Sequence, residues 1–214
     1  MPSSRPSPEA SSFLAAALER IDQSNARDPR LDEADGEAVP KELLYGHRMS
    51  EALSRLAPDA SEALQIAVRA QHIRRWEIPR TEFPLGRQGY KRWRTRLMEH
   101  HARVAAQILE EVGYDSSTIE RVGSLLRKEG LKRDPETQTL EDVACLVFLE
   151  HYFDDFARDH DDEKLVSILR KTWRKMSEPG REAARELELS ERALRLVREA
   201  VDPQSGSSPR SDRG

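Results

Sequence analysis

The apolar residues of this chain recur at steps of three and four almost from end to end. That spacing lines them up on one face of an α-helix and would scatter them over both faces of a strand. Phe13, Leu14, Ala17, Leu18 and Ile21 form a first stripe, and Leu43, Leu44, His47, Ala52 and Leu56 a second. Leu64, Ala67, Val68, Gln71 and His72 continue the pattern, as do Leu97, His101, Val104 and Ile108. Period-two alternation is never sustained, and no unit of about 20–50 residues repeats. The pattern predicts an all-α protein, a single helical bundle of about eight helices.

Punctuation residues set the expected boundaries. Ser11 or Ser12 can cap the first helix, and the acidic stretch 26–39 predicts a loop. Pro40 suits the first turn of the second helix and Pro58 ends it. Asp59 to Glu62 resembles a capping box. Pro79, Pro84, Gly86 and Gly89 predict an irregular connection over 77–89. A long helix is expected from about Tyr90 to Gly113, and another from Ser116 or Ser117 to near Gly130. Leu140 to Phe156 is the most apolar helix and is expected at the centre. Helices over 162–176, 177–187 and 190–201 complete the domain. Residues 1–12 and 202–214, rich in Pro, Ser and Gly, predict disordered tails around a helical domain 13–201.

Composition narrows the classes of function. A net charge of −4 over 214 residues argues against a chain that is polybasic throughout. No apolar run approaches the roughly 18–20 residues a bilayer requires. Met1 to Ser12 lacks the apolar core of a secretory signal. With Cys145 as the sole cysteine, no internal disulfide is possible, and its apolar surroundings predict an inert buried thiol. Cytoplasmic residence without membrane contact is the expectation.

Two constellations carry chemistry. His47, His72 and His101 fall on apolar faces of predicted helices, where an ionisable side chain is costly to bury alone. Asp142 precedes Leu146, Leu149 and Phe153, so it too is expected to point inward, beside Glu141. Imidazoles and a carboxylate converging in a bundle can make a metal site. Hydrogen-bonded core histidines and a helix-capping aspartate remain the alternative. His100 lies about 100° round from His101 and is expected to be peripheral, and His151 and His160 are expected to be surface or structural.

The second constellation is a basic, aromatic belt. Between Arg69 and Arg103 ten basic residues face only Glu77, Glu82 and Glu99, with Trp76, Phe83, Tyr90 and Trp93 interleaved. Planar guanidinium groups suit phosphate and carboxylate oxygens, and aromatic faces suit bases. Arg75, Arg80, Arg87 and Arg94 are the candidate phosphate or anion ligands. The alternative is that these arginines pair with acidic helices of the same chain.

Several motifs also carry a resemblance. Arg69-Ala-Gln-His-Ile-Arg-Arg-Trp-Glu-Ile-Pro-Arg80, Phe83-Pro84, Arg87-Gln-Gly-Tyr90, Trp93-Arg94 and His101-Ala102 resemble the family called domain of unknown function 4202. So do Gly113-Tyr114, the run Gln138 to Leu149, Lys171-Thr-Trp173 and Lys175-Met-Ser177. The likeness covers about residues 14–200 of the sequence, and that family implies no established activity.

More distantly, the order of polar residues resembles the HD superfamily of metal-dependent phosphohydrolases. His47 matches its first His, His72 the His of its His-Asp pair, His101 a supplementary His and Asp142 the late Asp. Ile73 stands where active members carry the paired Asp. This resemblance implies an HD-like core and one divalent metal held by His47, His72, Asp142 and His101. It further implies His101 or Glu141 as a proton-handling residue, and hydrolysis of a phosphorylated small molecule or nucleotide by metal-activated water. A non-catalytic module whose belt engages nucleic acid or an acidic partner is the competing expectation. Oxygen chemistry at a two-His-one-carboxylate iron is a third.

Overall fold

The computed structural model describes residues 8–201, with side chains from Ser12 onward. Most of the two expected tails, 1–7 and 202–214, lies outside the described residues. The first helix, α1, spans Pro8–Asn25 and so begins ahead of both serines expected to cap it. The chain continues through β1 (Leu31–Ala34), β2 (Glu37–Pro40), α2 (Lys41–Leu56), α3 (Glu62–Arg69), α4 (Gly86–Val112) and α5 (Ser116–Leu126). It then runs through α6 (Pro135–Val147), a π turn (Phe148–Tyr152), α7 (Phe153–Arg158), α8 (Asp162–Lys175), α9 (Glu178–Arg185) and α10 (Glu191–Val201). The all-α class holds apart from one small antiparallel hairpin. No helix among the described residues is long and apolar enough to cross a membrane.

The hairpin replaces the loop expected over 26–39. Asp35 and Gly36 both adopt positive φ, 53° and 79°, the twist that a two-residue turn needs to join antiparallel strands. Leu31 therefore pairs with Pro40, and Ala34 with Glu37. Each strand has four residues, too few and too polar for alternation to register in the sequence.

Two helix starts also move, for local reasons. α6 begins at Pro135, not Leu140, because Pro suits a first helical position. Asp134 accepts the Glu136 and Thr137 backbone N–H groups at 2.9 and 3.1 Å. α4 begins at Gly86, four residues before Tyr90. Its other end is the expected one: Gly113, at φ 101°, donates its N–H to the Leu109 and Glu110 carbonyls.

Packing divides the chain after Leu140 into two compact units. In the first, α3 packs on α2 and α5, while α4 packs on α5 and α1. Ile21, Met49, Ile66, Ile73, Val104, Leu109 and Leu125 are wholly buried there. In the second, α8 packs on α10, and Phe153, Leu165 and Leu196 are wholly buried. Cys145 is buried, as expected.

The connection 70–85 is irregular, with two short 3-10 turns at Arg75–Glu77 and Arg80–Glu82. Gly89 lets it lie against α4. A Cβ there would meet the Pro84 carbonyl oxygen at 1.7 Å. Because that atom is backbone, the connection itself must move to accept a methyl group. Gly89→Ala is therefore expected to cost about 3 kcal/mol, read as a lowered midpoint in urea unfolding.

Candidate functional site

The turn Ala70–Arg74 after α3 positions the first functional histidine. His72 does not lie on the helix, as its spacing suggests, because α3 ends at Arg69. The chain reverses with Arg74 in the left-handed region, φ 49°. The end of α1 holds this turn: Arg74 donates its backbone N–H to Asn25 Oδ1 at 3.1 Å and its Nε to Ser24 Oγ at 2.7 Å.

This turn sets the His72 ring beside Glu42, in the first turn of α2. Nδ1 lies 3.2 Å from Glu42 Oε2, and Nε2 lies 3.0 Å from an Arg75 Nη1. A carboxylate only accepts and a guanidinium only donates, so Nδ1 carries the proton and the Nε2 lone pair faces Arg75. Tyr45 stacks on the same ring at 3.9 Å between centroids. Glu42, with its side chain 3% exposed, also accepts from Arg30 at 2.7 Å. Arg30 in turn binds Asp28 at 2.9 Å, and Asp28 accepts the Glu42 backbone N–H.

Burial holds the His72 imidazole well below its ordinary 6.5, and the positive charges of Arg75, Arg94, Lys128 and Arg30 push the same way. Burial likewise keeps His101 well below that value, with His72 the next largest cause. Burial raises the Glu42 carboxyl although Arg75 and Arg30 oppose it. His101 reaches this region from α4, its ring centroid 6.1 Å from that of His72. Its Nδ1 bonds the Ile73 carbonyl at 2.8 Å, which leaves the lone pair on Nε2. That Nε2 is buried and has no hydrogen-bond partner among the described residues.

The other predicted site residues have their own partners. His47 Nε2 lies 3.2 Å from Asp22 Oδ2, and its side chain is 44% exposed. Asp142, in the second unit, anchors the start of α9. Its two oxygens accept the Ser177 backbone N–H at 2.8 Å and the Ser177 hydroxyl at 2.5 Å. Glu141 is buried 3.4 Å from Lys175 Nζ. His100 is buried, not peripheral, because the turn after α3 covers it: its Nε2 lies 3.2 Å from the Arg74 carbonyl. His160 Nδ1 bonds the Phe156 carbonyl at 2.9 Å, and His151 Nε2 lies 3.6 Å from Glu150.

The structure thus joins His72 and Arg75 to Glu42, with His101 beside His72. Among the described residues no three His, Cys, Asp or Glu side chains are grouped to hold a metal ion. His72 has no lone pair to offer while Arg75 holds Nε2, and the cations around it oppose a dication. As placed, these residues do not fit a coordination sphere.

Glu42 and Tyr45 escaped sequence reasoning. The signal was present in the buried row Glu42, Gly46, Met49 and Leu53, at steps of four, three and four. A glutamate and a glycine disguise that row, and Leu43 and Leu44 beside it draw the eye to the wrong face.

The belt separates into two sets. Arg69 faces Asp22 at 3.5 Å, and Arg74 reaches Ser24 and Glu77. Arg75 faces Glu42 and lies over the Trp93 ring at 4.8 Å. Arg80, an expected anion ligand, donates to the Phe83 and Pro84 carbonyls and so braces its own loop. Arg103 turns to His100 and Gln107. By contrast, Arg87, Lys91, Arg92, Arg94 and Arg96, all on α4, have no ion-pair or hydrogen-bond partner among the described residues. Arg87, Lys91 and Arg94 share one stripe at steps of four and three, with Tyr90 beside them.

Fold and site together define a helical protein with a cationic, aromatic helix face beside a buried histidine-carboxylate network. The family described as domain of unknown function (DUF4202) matches residues 15–197, and the chain belongs to that family. No curated protein and no solved structure matches it.

The two depressed histidines make stability depend on pH. Below about 6.5 the unfolded chain binds protons that the folded His72 and His101 refuse. Their contribution is intact above that value and is lost as pH falls beneath it, by about 1.4 kcal/mol per pH unit for each histidine. Glu42 acts in the opposite sense from 4.5 upward, so the informative quantity is a difference. His101→Gln is expected to remove one proton's share of the slope between about pH 5 and 6, measured by urea unfolding across a pH series.

Proposed function

We propose that this protein is a non-catalytic binding module whose basic, aromatic face on α4 takes a polyanion, either nucleic acid or an acidic partner. One observation carries the reading: the five α4 cations from Arg87 to Arg96 stand without acidic partners among the described residues. The chain has acids to spare, 39 against 35 basic residues. Of the other belt arginines, Arg69, Arg74 and Arg75 face carboxylates, while Arg80 and Arg103 are held by neutral acceptors of the same chain. Clustered like charges repel, and their counterions are released when a polyanion replaces them. Arg75 serves this face indirectly, by packing on Trp93. The reading is a cytoplasmic one.

Binding is expected to weaken steeply with salt, with a slope of about −0.7 per single-strand phosphate neutralised. Fluorescence anisotropy with a labelled oligonucleotide and with poly-glutamate measures it. The triple variant Arg87→Ala, Lys91→Ala, Arg94→Ala is expected to lose about tenfold or more in affinity with an unchanged far-UV spectrum. Equal affinity in the triple variant would remove the reading.

A second reading is an HD-like, metal-dependent phosphohydrolase acting on a phosphorylated small molecule or nucleotide. It is supported by the order of His47, His72, His101 and Asp142 and by the unpartnered Nε2 of His101. Metal analysis of the purified protein tests it. Absence of stoichiometric metal, with melting unchanged by chelator, counts against it.

A further inference from the structure

We infer that the polyanion is a single-stranded nucleic acid: Tyr90 is the platform on which a base stacks, and Arg87, Lys91 and Arg94 hold the flanking phosphates. The inference rests on the polyanion reading above and narrows it to one partner.

Tyr90 is 49% exposed on the same stretch of α4 as the unpartnered cations. It is not a loose side chain. Its ring leans on Trp93, 5.8 Å between centroids at 53°. Trp93 is itself fixed, because its Nε1 donates to the Ile78 carbonyl at 2.9 Å and Arg75 lies over its ring. The aromatic pair is therefore set before any ligand arrives, and ordering it costs binding little. Leu85, one residue ahead of α4, is 94% exposed and adds an apolar contact for a base or sugar.

Arg87 precedes Tyr90 by three residues and Arg94 follows it by four, so both flank the ring on one side of the helix. From Arg87 to Arg94 the stripe rises about 10 Å, enough to meet successive backbone phosphates on either side of one base. An acidic protein would use the cations, but a run of carboxylates offers the ring no flat face to stack on. A duplex keeps its bases stacked and out of reach. Only an unpaired strand offers both a π-face and a charged backbone at this spacing, and stacking tolerates every base.

The test uses the full-length protein and four probes. These are an oligothymidylate of about 20 nucleotides, its abasic sugar-phosphate counterpart, the corresponding duplex and poly-glutamate. Wild type is expected to prefer the oligothymidylate. Tyr90→Ala is expected to cost about tenfold on that probe alone, equivalent to about 1.4 kcal/mol. Tyr90→Phe is expected to retain affinity, because the ring and not the hydroxyl does the stacking. Preference for poly-glutamate or duplex would overturn the inference while leaving the polyanion reading in place. So would an equal loss on every probe in Tyr90→Ala, or no loss at all. Competition by thymidine monophosphate at concentrations comparable to the oligomer would overturn it in favour of a small nucleotide. Failure to bind any of the four would remove both.

Discussion

The buried carboxylate of Glu42 is the charge around which the first unit is organised. A carboxylate removed from water is tolerated only with partners, and breaking such a pair by removing one partner typically costs about 3–5 kcal/mol. Here the partners come from separate segments: Arg30 from the approach to the hairpin, His72 from the turn after α3 and Arg75 from the 3-10 turn that follows. Asp28 completes the chain by holding Arg30 and receiving the Glu42 backbone N–H. The irregular connection between α3 and α4 is thus ordered by charge at one end and by the close approach of Gly89 to Pro84 at the other. Trp93, packed under Arg75 and bonded to Ile78, carries that order into the exposed part of α4.

The same network sets the chemical sign of the site. His72 and a carboxylate in contact are ingredients of a metal centre, but coordination needs a lone pair directed at the metal. The Arg75 guanidinium occupies that direction at 3.0 Å. Burial first, and then four cations, hold the imidazole neutral, and those cations also oppose a divalent ion. The identity of the neighbours therefore matters more than the presence of histidines, and the neighbours are what a linear reading shows least.

The helices were legible because three-and-four periodicity is a direct image of one buried face. His101 was legible for that reason, lying in line with Leu97, Val104 and Ile108, all buried. His72 was misplaced because the apolar row of α3 runs up to a turn whose reversal depends on Arg74 adopting positive φ, bonded to Asn25 49 residues earlier. Asp142 was read as inward, and it is buried, but the groups it binds lie 35 residues away, at the start of α9. The hairpin was written only in Asp35-Gly36, a two-residue signal inside an acidic stretch. In each case the missing information was a partner distant in sequence.

The front of α4 breaks together two rules that α5 and α2 each break singly: α5 has no acidic residue in its first turn, and α2 has no side-chain cap. Helix N-termini favour acidic side chains, and α2, α3, α8, α9 and α10 all carry one in the first turn. α4 carries none there and has no side-chain cap. Its cations instead fall at Arg87 and Lys91, then at Arg92 and Arg96, pairs four residues apart whose like charges repel. Ala or Gln at these positions would relieve the repulsion and suit the helix at least as well. A sequence inconsistent with its helix over three turns concentrates a cost there that folding does not repay. On the proposed reading a bound polyanion would offset it, since an opposing charge relieves both the repulsion and the conflict with the helix dipole. That reading links the stability of this segment to its affinity for a polyanion, because the ligand would be what makes this arrangement of charge favourable.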